Sequence, residues 1–563
     1  MKIVVIALAC VVTGAAFAAP NEDAKFESIV NDYVEALLKA HPETATDLGD
    51  HRYDDRLDEY TRASIERDVK FARDTLAALA KVNRAKLSAT NRIDLRILEN
   101  QLQSQIFGRE VLRNWEWNPM TYNAGGAIFG LIARDFAPAE TRVRSMIGRL
   151  NQVPDVVAAA KANLKNPPKI HVETAINQNK GTIALINKEA AELAKQAPGL
   201  DAEFKAAQKR AVDALTEYGT WLHDDLLPRA NGDFRIGEEK FHRKLRFSLD
   251  SDLTKEEILQ HAEADLKATQ DAMYETALKL GAKPDADRRK VIKSVLDKLA
   301  DQHPTNENII ALAEKDLAST TEFVRKHDLV TVPKDPIQVT PTPEFNRGVA
   351  VASCNPPGAL EKNGKTFFFI SPTPADWPAQ RVESFFREYN DYMLKDLTIH
   401  EAMPGHYLQL AHGNQFHAPT KIRAIYGNGP FIEGWATYAE QLMAEAGFGG
   451  PEVRMQQLKM RLRFIINAIL DQKIHTAGMT EKQAMDLMMN EGFQEEGEAA
   501  GKWRRAMLTS AQLSTYYVGN IEMNDIRARW EKKHGKSQLK KLHDTMLSYG
   551  SPAAKYVKEM MGL

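Results

Sequence analysis

The chain has 563 residues, of which 74 are Lys or Arg and 76 are Asp or Glu, for a formal net charge of −2. It contains no basic block of the kind that grips phosphates, which argues against nucleic acid as a partner. Two cysteines are too few for a disulfide-stapled fold, and a chain of this length buries a core large enough to need none.

Met1-Lys2 is a short positive start, Ile3 to Val12 is an apolar run, and Ala16-Phe17-Ala18 supplies the small residues of a cleavage site. Residues 1–18 therefore read as a secretory signal peptide. The mature chain is expected to begin near Ala19 and to be secreted or periplasmic. The apolar run is short for a membrane span. Leu8 stands one place too late for Cys10 to be an acylated lipoprotein cysteine. No later segment is apolar enough to cross a bilayer, so no stable membrane insertion is expected. With Cys10 removed, Cys354 has no disulfide partner within the chain.

From Asn21 to about Arg325 the sequence reads as successive amphipathic helices. Phe26, Ile29, Val30, Tyr33 and Leu37 recur at helical spacing until Pro42 ends the run. Thr254 followed by Glu257 forms a capping box, and Asn166-Pro167-Pro168 and Asn231-Gly232-Asp233 are loop signals. The texture changes between Val330 and Pro378, which hold nine of the 25 prolines and so exclude long helices. Val330-Thr331-Val332, Ile337 to Thr340 and Thr366 to Ile370 read as short strands, with Asn363-Gly364 as the hairpin signal. A small β-sheet near residues 330–372 is expected inside a mostly α protein. Beyond Pro378 helices resume, and Val382, Phe385, Phe386, Tyr389 and Met393 make one apolar face that leads into His400.

The segment His400-Glu401-Ala402-Met403-Pro404-Gly405-His406 carries metal chemistry. A hydrolytic zinc site takes three ligands from His and carboxylates and leaves one position for water. A Glu directly after the first His can take that water's proton. In HExxH the second His lies four residues on and returns to the same helical face. Here it lies six residues on. At about 100° per residue, six steps leave the second ring roughly 120° from the first. Pro404 cannot donate to the carbonyl of His400 and clashes with it, while Gly405 reaches dihedrals closed to other residues. A Pro-Gly bulge that swings His406 back is the expected solution. The bland alternative is two polar histidines beside a Glu with no metal.

Pro430 then opens a helix that carries Phe431-Ile432-Glu433-Gly434-Trp435-Ala436-Thr437-Tyr438-Ala439-Glu440. Glu433 is the candidate third metal ligand. Glu440, seven residues on and near the same face, either holds a histidine ring or lies on a solvated surface. The E-G-W-A-x-Y-x-E wording is similar to the third-ligand helix of zinc aminopeptidases.

These motifs resemble the bacterial domain-of-unknown-function family 885, whose C-terminal half is similar to zinc oligopeptidases of the thimet-oligopeptidase and angiotensin-converting-enzyme type. The likeness runs through His41 to Gly49, Tyr53 to Leu57, Gly232 to Gly237 and the whole of His400 to His406, including the six-residue separation. The resemblance implies a two-lobed helical metallopeptidase with a central cleft. The expected division is an N-terminal helical lobe over residues 19–329 and a zinc-binding catalytic lobe over 330–563. One Zn2+ would be held by His400, His406 and Glu433, with Glu401 as general base and a peptide as substrate.

The family's S-Y-K-x-G pattern stands here as Thr515-Tyr516-Tyr517-Val518-Gly519, with Tyr517 where Lys is usual. Tyr516 and His475 are the candidate oxyanion donors. Against these roles stand core packing for Tyr516 and a helix C-terminal cap for His475. The Thr366–Ile370 strand would pair with the substrate backbone, and Arg504 or Arg505 would hold a C-terminal carboxylate. Two other readings share the ligands: a zinc hydrolase of a non-peptide amide, and a non-catalytic helical binding protein that keeps the metal. Glu401 argues against the last, since a structural site has no use for a base.

Overall fold

The computed structural model describes residues 21–342, 351–361, 364–374 and 377–563, and these are mostly helical with one small sheet among them. The signal-peptide segment 1–18 and Asn363 lie outside the described residues. Asn21 caps helix Glu22–Ala40 by accepting from the Ala24 N–H, and Phe26, Val30, Tyr33 and Leu37 are buried along one face. Pro42 begins the next helix, Pro42–Leu48, as a proline can at a first turn. Helix Ala139–Asn163 packs along Asp201–Trp221. The two loop signals meet: the Gly232 N–H donates to the Pro167 carbonyl at 3.1 Å, and a Cβ on Gly232 would stand 2.4 Å from the Asn166 oxygen. The capping box at Thr254 and Glu257 is present in both directions and starts helix Lys255–Lys279.

That helix lies along Gly450–Ala477, a 28-residue helix buried on most of its circumference. Apolar cores cross residue 329. The largest joins Ile309, Ala313 and Val324 to Phe368, Met393, Trp435 and Met523. Another joins Phe241, Leu245 and Ile258 to Phe464, Ile465 and Val518.

The sheet has three strands: β1 (Ile337–Pro341), β2 (Ala352–Asn355) and β3 (Thr366–Ile370), in the order β1-β3-β2. β1 runs parallel to β3 and β2 antiparallel to it. Phe368 and Ile370 of β3 point into the core. Two expectations are corrected here. Val330-Thr331-Val332 is not a strand, because the Thr331 N–H and hydroxyl both bind the Asp544 carboxylate and its carbonyl accepts from His412. β3 has no free edge for a substrate, because it is the central strand; the edge beside the site belongs to β2.

The apolar run from Val382 to Met393 is also interrupted. Helix Ala379–Glu388 ends, and Asn390 caps a new helix, Asp391–Glu401, by accepting from the Tyr392 and Met393 N–H groups.

Helix Ser514–His534 crosses helix Gly429–Glu445 at two glycines. A Cβ on Gly434 would stand 2.4 Å from the Gly519 carbonyl carbon, and one on Gly519 would stand 2.0 Å from the Pro430 oxygen. Three residues past this contact, Glu522 is buried, with one oxygen accepting from the Ser251 hydroxyl at 2.6 Å. Burial pushes its carboxyl up to about 7. A carboxyl raised on folding takes up a proton, so its contribution is complete below the ordinary value of 4.5 and is lost as pH rises through about 7. Glu522→Gln should remove that slope. Between pH 5 and 8, urea denaturation should show the variant losing less stability than the parent by about 2 kcal/mol. Parallel profiles would contradict this.

Candidate metal centre

The two histidines come together through a break between helices. Helix Asp391–Glu401 stops at Ala402, and helix His406–Asn414 starts immediately after Gly405. The turn contains a cis Met403–Pro404 peptide. The Gly405 N–H folds back to the Ile399 carbonyl at 2.9 Å. The chain returns so closely that a Cβ on Gly405 would stand 1.9 Å from the His400 carbonyl oxygen and 2.3 Å from that of Ile399. The expected bulge within one helix is thus a corner between two. The Trp435 indole N–H, buried, donates to the Pro404 carbonyl at 2.8 Å and ties the corner to the Glu433 helix, Gly429–Glu445.

This arrangement brings His400, His406 and Glu433 to one point, with one ligand atom from each within 4.8 Å of the others. Glu433 Oε2 lies 3.6 Å from His400 Nε2 and 3.4 Å from His406 Nε2, and the two rings stand 4.7 Å apart at 87°. Although burial works against it, the two imidazoles hold the Glu433 carboxyl well below the usual carboxylate range. Glu433 Oε2 is closed off from solvent and takes no hydrogen bond among the described residues. Two imidazole nitrogens and a carboxylate oxygen around one point, with that oxygen otherwise unsatisfied, fit a borderline-soft divalent cation.

Behind this group, His400 Nδ1 meets Glu440 Oε1 at 2.6 Å, and Glu440 is fully buried. A proton on Nδ1 donated to Glu440 leaves the Nε2 lone pair facing Glu433. Glu440 therefore holds the ring rather than facing water. Asp396, also fully buried, feels its charge. Burial, and then the Glu440 charge, push the Asp396 carboxyl well up. Nothing in the sequence marked Asp396, since an acid on a helix normally faces solvent.

Glu401 stands on the other side. Its Oε2 accepts from the Cys354 N–H at 2.9 Å, a bond made by the free edge of β2. The chain after Cys354 is clamped from far away. Arg134 donates to the carbonyls of Asn355 (2.9 Å), Pro356 (2.6 Å) and Lys365 (2.7 Å). The Leu360 N–H bonds the Leu48 carbonyl at 2.7 Å, and His51 bridges Asp54 and Glu361 at 2.9 and 3.2 Å. Arg134 thus braces the end of the strand that holds Glu401, and the N-terminal motif His41 to Leu57 braces the chain that follows it.

Tyr516 is half-buried, and its hydroxyl accepts from Arg505 at 2.9 Å and meets the Gln512 amide at 3.4 Å. Burial, and then the Glu433 carboxylate, push its phenol up, which sets Tyr516 within electrostatic reach of the ligand group. Arg505 thus bonds Tyr516 and feels the Glu433 charge, whereas Arg504 donates to the Thr174 hydroxyl at 2.7 Å. His475 is elsewhere engaged. Its Nε2 meets the Thr509 carbonyl at 2.9 Å, and its ring stacks on Phe241. None of its described contacts is with a ligand residue. Tyr517, in the position where Lys is usual, donates to Asp265 at 3.0 Å.

The family model for a bacterial protein of unknown function, DUF885, matches residues 42–561. A solved structure described as a "putative lipoprotein of unknown function" from Shewanella oneidensis is 34% identical. The match covers 96% of this chain and 100% of that one, with a TM-score of 0.80. A second, the "putative lipoprotein" from Colwellia psychrerythraea, is 16% identical over 96% of this chain and 99% of its own, with a TM-score of 0.81. Trypanosoma cruzi metallocarboxypeptidase 1 aligns over 96% and 95% at 11% identity and a TM-score of 0.41. No curated protein matches. Among the described residues no helix is long and apolar enough to cross a membrane. The match over nearly the whole chain places this protein in the bacterial family of unknown function DUF885.

Proposed function

We propose that this protein is a zinc-dependent peptidase that hydrolyses short peptides, with His400, His406 and Glu433 holding the ion and Glu401 as general base. The observation that carries the reading is the convergence of three ligand atoms within 4.8 Å beside a glutamate held by a strand edge. When bound, the zinc ion supplies Lewis acidity to the scissile carbonyl and to a water molecule. Glu401 takes the proton of that water and passes it to the leaving amine nitrogen. The Cys354 N–H fixes the direction of the Glu401 carboxylate.

Of the two candidate oxyanion donors, Tyr516 is favoured over His475, whose Nε2 is engaged by the Thr509 carbonyl. A well-placed Tyr516 hydroxyl would contribute on the order of 3 kcal/mol. The β2 edge would receive the substrate backbone by strand pairing. The lobe division at residue 330 is retained as a functional one, with the N-terminal lobe bracing β2. We place the protein in a secreted or periplasmic compartment, on the signal-peptide pattern of residues 1–18 and the lipoprotein descriptions of its solved relatives.

The test is digestion of a peptide library by the purified chain with and without a chelator. Cleavage that stops on chelation and returns with one equivalent of zinc supports the proposal. A metal-loaded chain that cleaves only non-peptide amides, or nothing, refutes it.

A further inference from the structure

A cavity of about 390 Å³ lies one helical turn from the ligand group. Two pairs of residues fix this relation. Gly429 lines the cavity and Glu433 follows it four residues on along the same helix; Thr515 lines the cavity and is followed directly by Tyr516 near the start of helix Ser514–His534. Residues four apart on a helix share a face, about 6 Å along the axis. Gln512 itself bridges the two regions, since its amide contacts both Arg505 and the Tyr516 hydroxyl. A substrate seated at Glu433 therefore has a neighbouring group within reach of the cavity.

The wall contains one basic residue, Lys244, and one acid, Asp250. Asp250 is neutralised by Lys555 at 2.7 Å. Lys244 is not. Its Nζ donates to the Ser510 hydroxyl at 2.8 Å, and it forms no ion pair among the described residues. The acid that acts on it through space, Asp471, has its oxygens taken by the Ala511 N–H, the Ser514 N–H and the Ser514 hydroxyl. Burial pulls the Lys244 ammonium down, while Asp471 opposes this. A half-buried ammonium without a bonded counter-ion carries a desolvation cost, and an arriving anion relieves it. The remaining wall, with Ser248, Asn428 and Thr515, offers hydroxyl and amide groups rather than competing carboxylates.

We propose that this cavity is a specificity subsite for a carboxylate of the substrate, with Lys244 as its counter-ion; the inference rests on the peptidase reading above. The carboxylate can belong to an acidic side chain or to the peptide's C-terminus, and matched substrates separate the two. One pair of peptides differs only in Glu against Gln with the C-terminus amidated. The other differs only in a free against an amidated C-terminus.

For the zinc-loaded full chain, KM of the carboxylate member should be lower by at least about tenfold in one of the pairs, which names the source. Lys244→Met should bring that ratio to about one, and Lys244→Arg should retain it. A ratio near one in both pairs for the parent protein, or a ratio kept by Lys244→Met, overturns the proposal. Equilibrium dialysis of N-acetylglutamate against the parent and Lys244→Met chains reads the cavity without turnover, and binding should be lost in the variant. If no peptide is cleaved but this binding depends on Lys244, the peptidase reading fails and the anion site stands. If peptides are cleaved and neither readout responds to Lys244, the subsite alone fails.

Discussion

Glu401→Gln should retain one zinc per chain and lose turnover by roughly two to four orders of magnitude, the range a positioned general base supplies. The substitution keeps shape and removes basicity. A glutamine oxygen still accepts the Cys354 N–H that holds Glu401 at 2.9 Å, so the β2 edge keeps its place. Glu401 is not among the three residues whose ligand atoms converge, so metal content should not change. Steady-state kinetics with metal analysis on the same preparation checks both halves. Full activity in the variant would remove Glu401 from the chemistry, and loss of zinc would show that it holds the site together instead.

Gly405→Ala should severely weaken the metal site. The added Cβ would meet the His400 and Ile399 carbonyl oxygens at 1.9 and 2.3 Å, and both belong to the helix that carries His400. Backbone atoms cannot rotate away as side chains do, so the corner must open. Opening the corner moves His406 off the point it shares with His400 and Glu433, and strains the Pro404 carbonyl bond from Trp435. Zinc affinity should fall by at least about a hundredfold, with a stability loss of about 3 kcal/mol. Competition dialysis for zinc and a urea titration measure the two. Native zinc affinity in Gly405→Ala would mean that the tight turn does not govern ligand geometry.

The three converging residues were legible in the sequence because their chemistry is local. A His-Glu pair, a second His past a Pro-Gly, and a Glu on a proline-started helix each announce a role without tertiary context. How the second His returns was only half legible. Proline and glycine signal that a regular helix fails, but a bulge and a two-helix corner satisfy the same residues. The deciding contact, from the Trp435 indole to the Pro404 carbonyl, joins segments 31 residues apart.

Strand identity followed a similar rule. Ile337–Thr340 and Thr366–Ile370 were readable from composition. Periodicity does not encode strand order, so the exposed edge was assigned to β3 when β1 and β2 cover it on both sides. Val330–Val332 has strand composition, yet the Asp544 side chain takes its backbone groups. The break at Asn390 had a visible capping residue that the apolar spacing across it concealed. The polar braces, Asp396 behind Glu440 and Arg134 over the β2–β3 connection, carried no sequence signal, because their meaning depends on burial and on partners far along the chain.

X-ray absorption at the zinc edge on the purified chain tests most directly whether His400, His406 and Glu433 share one ion. The account predicts a first shell of nitrogen and oxygen at about 2.0–2.1 Å with the scattering pattern of two imidazoles, reduced to one imidazole or lost in His400→Ala and in His406→Ala. A sulfur shell at about 2.3 Å, or a spectrum unchanged by either substitution, would contradict it.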